Sequence, residues 1–133
     1  MNRDLDQLRR RVEETIGNAL TRLMKQQVGR GPENMKVYLI DDMILLRLKN
    51  VLTPAETHVA ATPEGRRLVE QFRTSLLDAW GAMLLTLVAQ AVGARVVCIH
   101  SDLDTAADHL VIIIVLDRKI AMVADAPPDA DRG

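Results

Sequence analysis

The sequence predicts an α+β domain in which helices cover an antiparallel sheet. A chain of 133 residues has the length of one domain. Its apolar residues recur first at helical and then at strand spacing, in the order helix, strand, strand, helix, helix, strand, strand. Apolar residues make up 48% and charged residues 26%, with a net charge of −1, which excludes a disordered chain, a collagen or a disulfide scaffold. We assign residues 1–124 to a single domain and predict that the Pro- and Asp-rich tail 125–133 is disordered.

Residues 4–28 predict an amphipathic helix, because apolar side chains recur there at steps of three and four. These side chains are Leu5, Leu8, Val12, Ile16, Leu20 and Leu23. Gly29 follows the last of the repeat and Pro32 lies just beyond it, so the helix is expected to end here.

Two short apolar runs, 36–40 and 43–49, follow and are separated by Asp41 and Asp42. Two acidic residues between runs of this type predict a tight β-hairpin. In the second run Arg47 and Lys49 alternate with leucines, so one face of that strand is expected to be exposed to solvent.

Two helix starts follow the hairpin. The series Thr53-Pro54-Ala55-Glu56 has the spacing of a capping box and predicts a short helix that reaches about Ala61. The series Thr62-Pro63-Glu64 repeats the signal, so a second helix is predicted over 63–92, with Gly93 at its end. Residues 95–101 and 109–116 then read as strands joined by a polar turn over 102–108, and residues 120–124 form an element of unassigned type.

The long helix is predicted to be amphipathic in its first half and apolar on all sides in its second. The first half is expected to turn Leu68, Val69, Phe72, Leu76 and Leu77 inward, between exposed Arg66, Arg67, Glu70, Arg73 and Asp78. A helix that is apolar all round must be buried all round. The N-terminal helix could cover the second half, but we expect a homodimer. Its predicted interface residues are Trp80, Met83, Leu84 and Leu87.

The composition argues against several locations and partners. The single cysteine, Cys98, fits a reducing cytoplasm, and the charged N-terminus has no signal-peptide core. The charge-free stretch 79–94 is shorter than the roughly 20 residues of a membrane-spanning helix, so no direct membrane insertion is expected. One Phe, one Trp and one Tyr are too few to stack nucleic-acid bases, so no nucleic-acid partner is expected.

Two local patterns could carry chemistry. Cys98, His100, Asp102 and Asp104 alternate along the chain and are zinc-ligand types, but no second cluster completes a ligand shell, so a strand end and a solvated turn are favoured. The series Gly29-Arg30-Gly31-Pro32 could form an anion nest, although a helix cap is favoured. No nucleophile lies in a recognisable catalytic motif, so we expect a non-enzymatic protein without a cofactor.

The stretch GRGPENMKVYLIDDMILLRLKNVLTPAE, together with TPEGR at 62–66 and the strand VVCIHSDLD, resembles a small bacterial family. That MpsC-like family is described as the soluble subunit of a sodium-translocating system that generates a membrane potential. The positions matching its pattern are Gly29, Gly31, Pro32, Asp42, Thr53, Pro54, Glu56, Arg66 and Asp102. The turn DTAADH, 104–109, departs from the pattern.

The resemblance implies a cytoplasmic accessory subunit, peripheral to the inner membrane. It would partner integral-membrane subunits that translocate a cation or take up bicarbonate. The alternative is a free-standing dimeric module that binds a small anion or metabolite at Gly29, Arg30, Gly31 and Arg66. A third hypothesis is a metal enzyme that uses Cys98, His100 and Asp102.

Overall fold

The computed structural model describes residues 3–120 and has the predicted α+β architecture. Its helices are α1 (Arg3–Val12), α2 (Asn18–Gln27), α3 (Pro54–Val59) and α4 (Pro63–Val92), and its strands are β1 (Asn34–Ile40), β2 (Met43–Lys49), β3 (Val96–Asp104) and β4 (His109–Leu116). The predicted tail 125–133, and the element predicted after Ile120, lie outside the described residues.

The N-terminal helix is divided by a π-helical turn, Glu13–Gly17, where a regular helix was predicted. The fully buried residues repeat at a strict step of four: Leu8, Val12, Ile16, Leu20 and Met24. In a regular α-helix, a step of four shifts the stripe by about 40° each time. A π turn holds more residues per turn and reduces that shift, so the stripe stays on the core.

The four strands form one antiparallel sheet in the order β1-β2-β4-β3. The predicted hairpin joins β1 to β2, with Asp41 in the left-handed region at a φ of 55°. Alternate residues of the two central strands are buried beneath the helices: Ile44, Leu46, Leu48, Leu110, Ile112, Ile114 and Leu116. The helices lie against this face: α1 and the π turn contact β1, and α4 contacts β3.

Strand β3 is longer than predicted, since residues 102–104 continue it instead of forming a turn. Leu103 is buried and lies opposite Leu110 of β4, so extending the ladder places one more apolar side chain in the core. The turn shrinks to 105–108. Asp102 and Asp104 are therefore strand residues on the face away from the helices.

The predicted orientation of the first half of α4 holds for Val69 and Leu77, which pack inward, but was wrong for Leu68, Phe72 and Arg73. Leu68 and Phe72 are 62% and 48% exposed, whereas Arg73, which was expected on the wet side, is 4% exposed. Two contacts fix this rotation. A Cβ on Gly65 would stand 1.6 Å from the Val59 carbonyl oxygen, so this face must lie against α3. Eight residues later, Arg73 lies on the same face and reaches the α3 side chains.

The second half of α4 is not buried on every face. Leu84, Val88, Ala91 and Val92 lie in the core, while Met83 and Leu85 are exposed. Among the described residues α4 is the one helix that could cross a membrane by length and composition, with a mean hydropathy of 1.5 over its most apolar 18 residues, of which 22% are buried. The N-terminal helix therefore covers only one side of it.

Candidate partner-binding site

The loop after β2 is held by a residue far along the chain. Asp108 Oδ1 accepts hydrogen bonds from the backbone N–H groups of Val51, at 2.8 Å, and Leu52, at 3.0 Å. The Asn50 N–H donates to the Asp108 carbonyl at 2.9 Å. Asn50 and Asp108 both adopt left-handed φ values, 56° and 51°, which Asn and Asp tolerate better than most residues. Two sharp turns are thereby joined.

The predicted capping box at the start of α3 is confirmed. Thr53 Oγ1 accepts from the Glu56 N–H at 3.1 Å, and Glu56 Oε1 accepts from the Thr53 N–H at 2.9 Å. Pro54 occupies the first turn, where its missing N–H is not needed. These family-pattern residues therefore set the direction in which α3 leaves the loop.

A buried ion pair joins α3 to α4. Arg73 Nε donates to Glu56 Oε2 at 2.7 Å, and its Nη2 donates to Glu56 Oε1 at 2.8 Å and to the Val51 carbonyl. The two side chains are 4% and 12% exposed. Burial alone would raise the pKa of the Glu56 carboxyl, but the Arg73 hydrogen bonds, the Thr53 N–H and the Arg73 charge together hold that pKa below its ordinary value.

Arg30 supports the same loop from the other side. Its Nη1 donates to the Leu52 carbonyl at 3.1 Å, and its Nη2 lies 3.6 Å from Glu33 Oε2. The predicted anion-binding role would require this guanidinium to be available, yet here it binds the protein itself.

An apolar groove opens between α3 and the first half of α4. Its volume is about 230 Å³, and it is lined by Ala55, Glu56, Val59, Leu68, Val69 and Phe72. Val59, Leu68 and Phe72 are among the most exposed large apolar side chains of the described chain. The Arg73–Glu56 pair lies beneath the groove and fixes the two helices that form its walls. This α3–α4 groove has the character of a protein-binding surface.

The predicted ligand residues are not brought together. Arg66 lines a separate cleft of about 370 Å³ with Glu70 of α4 and with residues 102–106 at the end of β3. Glu70 lines this cleft beside Arg66, so an anion there would meet a carboxylate as well as the guanidinium.

The glycine segment is a helix cap, as the favoured interpretation predicted. Gly29, at a φ of 95°, donates its N–H to the Met24 and Lys25 carbonyls at 3.0 and 3.1 Å, and Arg30 N–H donates to Met24 at 3.3 Å. Gly31 approaches the side chain of Thr21. Two amides that an anion nest would use therefore already bond to helix carbonyls.

Of the four alternating residues of β3, Cys98 and His100 have side chains that approach each other. Cys98 Sγ lies 3.4 Å from His100 Nε2, on the face of the sheet away from the helices. Within residues 3–120 no group of three or more His, Cys, Asp or Glu side chains could hold a metal ion.

The other predicted residues lie in different parts of the structure. Leu84 is 2% exposed and belongs to the core of the chain, Trp80 and Leu87 pack against that core, and Met83 is 38% exposed. Asp42 lies in the hairpin, where its carbonyl accepts the Leu116 N–H at 2.8 Å.

Arg73 and Asp108 were not predicted. Both bind groups at least 17 residues away, so no short motif reveals them. The series Gly65, Val69 and Arg73, at steps of four, is the one local signal that could have placed Arg73 on the inner face of α4.

These observations define an α+β domain with a sheet covered on one face and an apolar groove between two helices. The chain belongs to the MpsC family: a family model described as "Na+-translocating membrane potential-generating system (MpsC)" matches residues 8–118. Two relatives from Bacillus subtilis (strain 168) are similar to it. "Uncharacterized protein YbcI" is 30% identical over 105 residues, 79% of this chain and 85% of the relative. "Uncharacterized protein YrhF" is 31% identical over 106 residues, 79% and 87% respectively. No solved structure shows significant similarity to the chain.

Proposed function

We propose that this protein is a non-enzymatic, cytoplasmic accessory subunit of a membrane system that translocates Na⁺. The observation that carries the proposal is the family match over residues 8–118, whose description names such a system. An accessory subunit acts by binding, and the α3–α4 groove supplies an apolar surface for that purpose.

The groove suits a protein partner. Leu68 and Phe72 project from a helix whose position is fixed by the Arg73–Glu56 pair, so the surface is already formed before a partner arrives. Exposed apolar side chains held on rigid helices are typical anchors in protein–protein interfaces. The partner in this proposal is an integral-membrane subunit that presents an apolar segment at the cytoplasmic surface.

The test is affinity purification of the tagged full chain from detergent-solubilised membranes of its own host, followed by mass spectrometry. We expect a polytopic membrane protein in near-stoichiometric amount. Phe72→Asp is expected to abolish its recovery, whereas Thr74→Asp, the same charge at an exposed polar position of α4, is expected to retain it. Equal recovery with both variants would overturn the role of the groove.

A second measurement tests the peripheral location. Washing the membranes at high pH strips proteins that are held only by other proteins, so the chain is expected in the supernatant. Retention in the pellet would instead mean that α4 inserts into lipid. Recovery of the chain alone, from the soluble fraction only, would favour the alternative of a free-standing ligand-binding module.

A further inference from the structure

The sheet has a second face that no helix covers in the described chain. Its apolar part comprises Tyr38, Ile40, Met43, Leu45, Cys98, Val111, Ile113 and Val115. Ile40 and Tyr38 are 49% and 36% exposed, and the side chains on the two central strands are partly exposed. Strand β4 is therefore apolar on both faces, although only one of them packs on the core.

The strand register orders this face into rows that cross all four strands. One row contains Ile40, Met43, Val115 and Cys98, and the next contains Tyr38, Leu45, Ile113 and His100. The third row contains Lys36, Arg47, Val111 and Asp102, and the fourth contains Asn34, Lys49, His109 and Asp104. The first two rows are thus mainly apolar, and the other two carry most of the charge.

The charges within the last two rows are separated by sign. Lys36, Arg47 and Lys49 lie on β1 and β2, whereas Asp102 and Asp104 lie on β3 at the opposite edge. Arg47 Nε also lies 3.3 Å from His109 Nε2, next to this boundary. Such a surface is complementary to a second copy that is turned so that the β1 edge of each copy faces the β3 edge of the other.

We infer that the uncovered sheet face binds a second copy of this chain in a two-fold dimer whose axis runs parallel to the strands. Rotation about that axis exchanges β1 with β3 and β2 with β4 and keeps every row opposite its own equivalent. Leu45 then packs on the partner's Ile113, and Lys36 faces the partner's Asp102. The two sheets pack with aligned strands, as in β-sandwiches.

The alternative two-fold axis, in the sheet plane but perpendicular to the strands, is disfavoured. It would reverse the order of the rows and place Leu45 against the partner's Arg47. It would also place Met43 against the partner's Lys49 and Cys98 against the partner's Asp104, so charged side chains would be buried against the apolar rows, which is costly. The parallel axis also sets Arg47 opposite an aliphatic side chain, the partner's Val111, but it matches the two apolar rows with each other and sets Lys36 against the partner's Asp102.

The size of the face is suitable for a dimer. Four strands of seven residues cover about 19 Å by about 24 Å. This projected area of about 460 Å² is enlarged by the protruding side chains, toward the roughly 800 Å² that each partner buries in a stable complex. Helix α4 offers less for self-association, because Leu84 is internal and Trp80 and Leu87 pack against the core.

The experiment is sedimentation equilibrium of the purified full chain, with circular dichroism of each variant to confirm the fold. The wild type is expected to be a dimer. Leu45→Glu is expected to give a monomer, and Met83→Glu, the same kind of change on the exposed side of α4, is expected to leave the dimer intact. A monomeric wild type, or dissociation by Met83→Glu but not by Leu45→Glu, would overturn the inference.

A charge exchange tests the orientation without touching the apolar rows. Lys36 and Asp102 are exposed, so substitutions there do not disturb the core. Lys36→Asp and Asp102→Lys are each expected to raise the dissociation constant by about tenfold, because each places like charges opposite one another. The double variant restores opposite charges and is expected to return near the wild-type value. Additive weakening in the double variant would contradict the proposed axis.

Discussion

Arg73 donates two hydrogen bonds to the Glu56 carboxylate, at 2.7 and 2.8 Å, in a pair that is almost fully buried. Glu56 also closes the capping box of α3 through Thr53, and Arg73 bonds to the Val51 carbonyl. The pair therefore joins the loop after β2, the start of α3 and the middle of α4. Hydrogen bonds between charged groups are among the strongest in proteins. When one partner is removed, the other charge stays buried without its counter-charge, and this destabilises the protein.

Removing one partner of the pair should destabilise the protein strongly. Arg73→Ala is expected to lower the free energy of unfolding by about 3 kcal/mol, because it leaves the Glu56 carboxylate buried and unpaired. Urea denaturation of the full chain measures this change. Arg67→Ala on the exposed side of α4 is the control and is expected to change the value by less than about 0.5 kcal/mol. A small loss for Arg73→Ala would mean that the pair is not formed in solution.

The Glu56 carboxyl gives the stability a defined pH dependence. Its pKa is lower in the folded protein than its ordinary value of 4.5, so the unfolded chain takes up its proton first as the pH falls. The contribution of this group is therefore complete above about pH 5 and is lost as the pH falls through the folded pKa. Measured by urea denaturation across this range, the stability gap between wild type and Glu56→Gln is expected to narrow at low pH. A constant gap would contradict the lowered pKa.

Two glycines of α4 should respond to alanine with opposite signs. A Cβ on Gly65 would meet the Val59 carbonyl oxygen at 1.6 Å, so Gly65→Ala must push α3 away from α4 and destabilise the protein. No atom lies within 4 Å of a Cβ built on Gly81, so Gly81→Ala is expected to stabilise the helix by up to about 1 kcal/mol. Thermal denaturation compares the two variants. A stabilising Gly65→Ala would show that α3 and α4 are further apart in solution than the 1.6 Å approach requires.

The Asp108 carboxylate should be important for the loop after β2. Asp108→Ala removes the acceptor of the Val51 and Leu52 N–H groups and leaves a non-glycine residue in the left-handed region, at an expected cost of about 2–3 kcal/mol. Asp108→Asn keeps an oxygen at the same atom position and tolerates that backbone conformation, so its cost is expected to be smaller. Equal losses in the two variants, measured by urea denaturation, would mean that the negative charge rather than the acceptor geometry stabilises the loop.

The sequence by itself determined the order of the elements, their caps and the family. The capping box of Thr53 and Glu56, the left-handed Gly29 and Gly93, and the start of α4 at Pro63 all depend on groups within a few residues of one another. Interactions between residues this close in the chain can be predicted from the local spacing of residue types. The apolar residues of the N-terminal helix recur at steps of three and four in the sequence, whereas the strict step of four of its buried residues, and the π turn that goes with it, came from the structure.

Only the tertiary structure decided which way α4 faces, how far β3 extends and which surfaces remain uncovered. The orientation of α4 depends on Arg73 reaching Glu56, 17 residues away, and the loop after β2 depends on Asp108, up to 57 residues away. Hydrophobic periodicity could not choose the face of α4, because in its first half apolar side chains lie on both sides, Val69 and Leu77 inward and Leu68 and Phe72 outward. The choice was made by a close backbone approach at Gly65 and by a buried charge that had to be paired, and both exist only once the chain has folded.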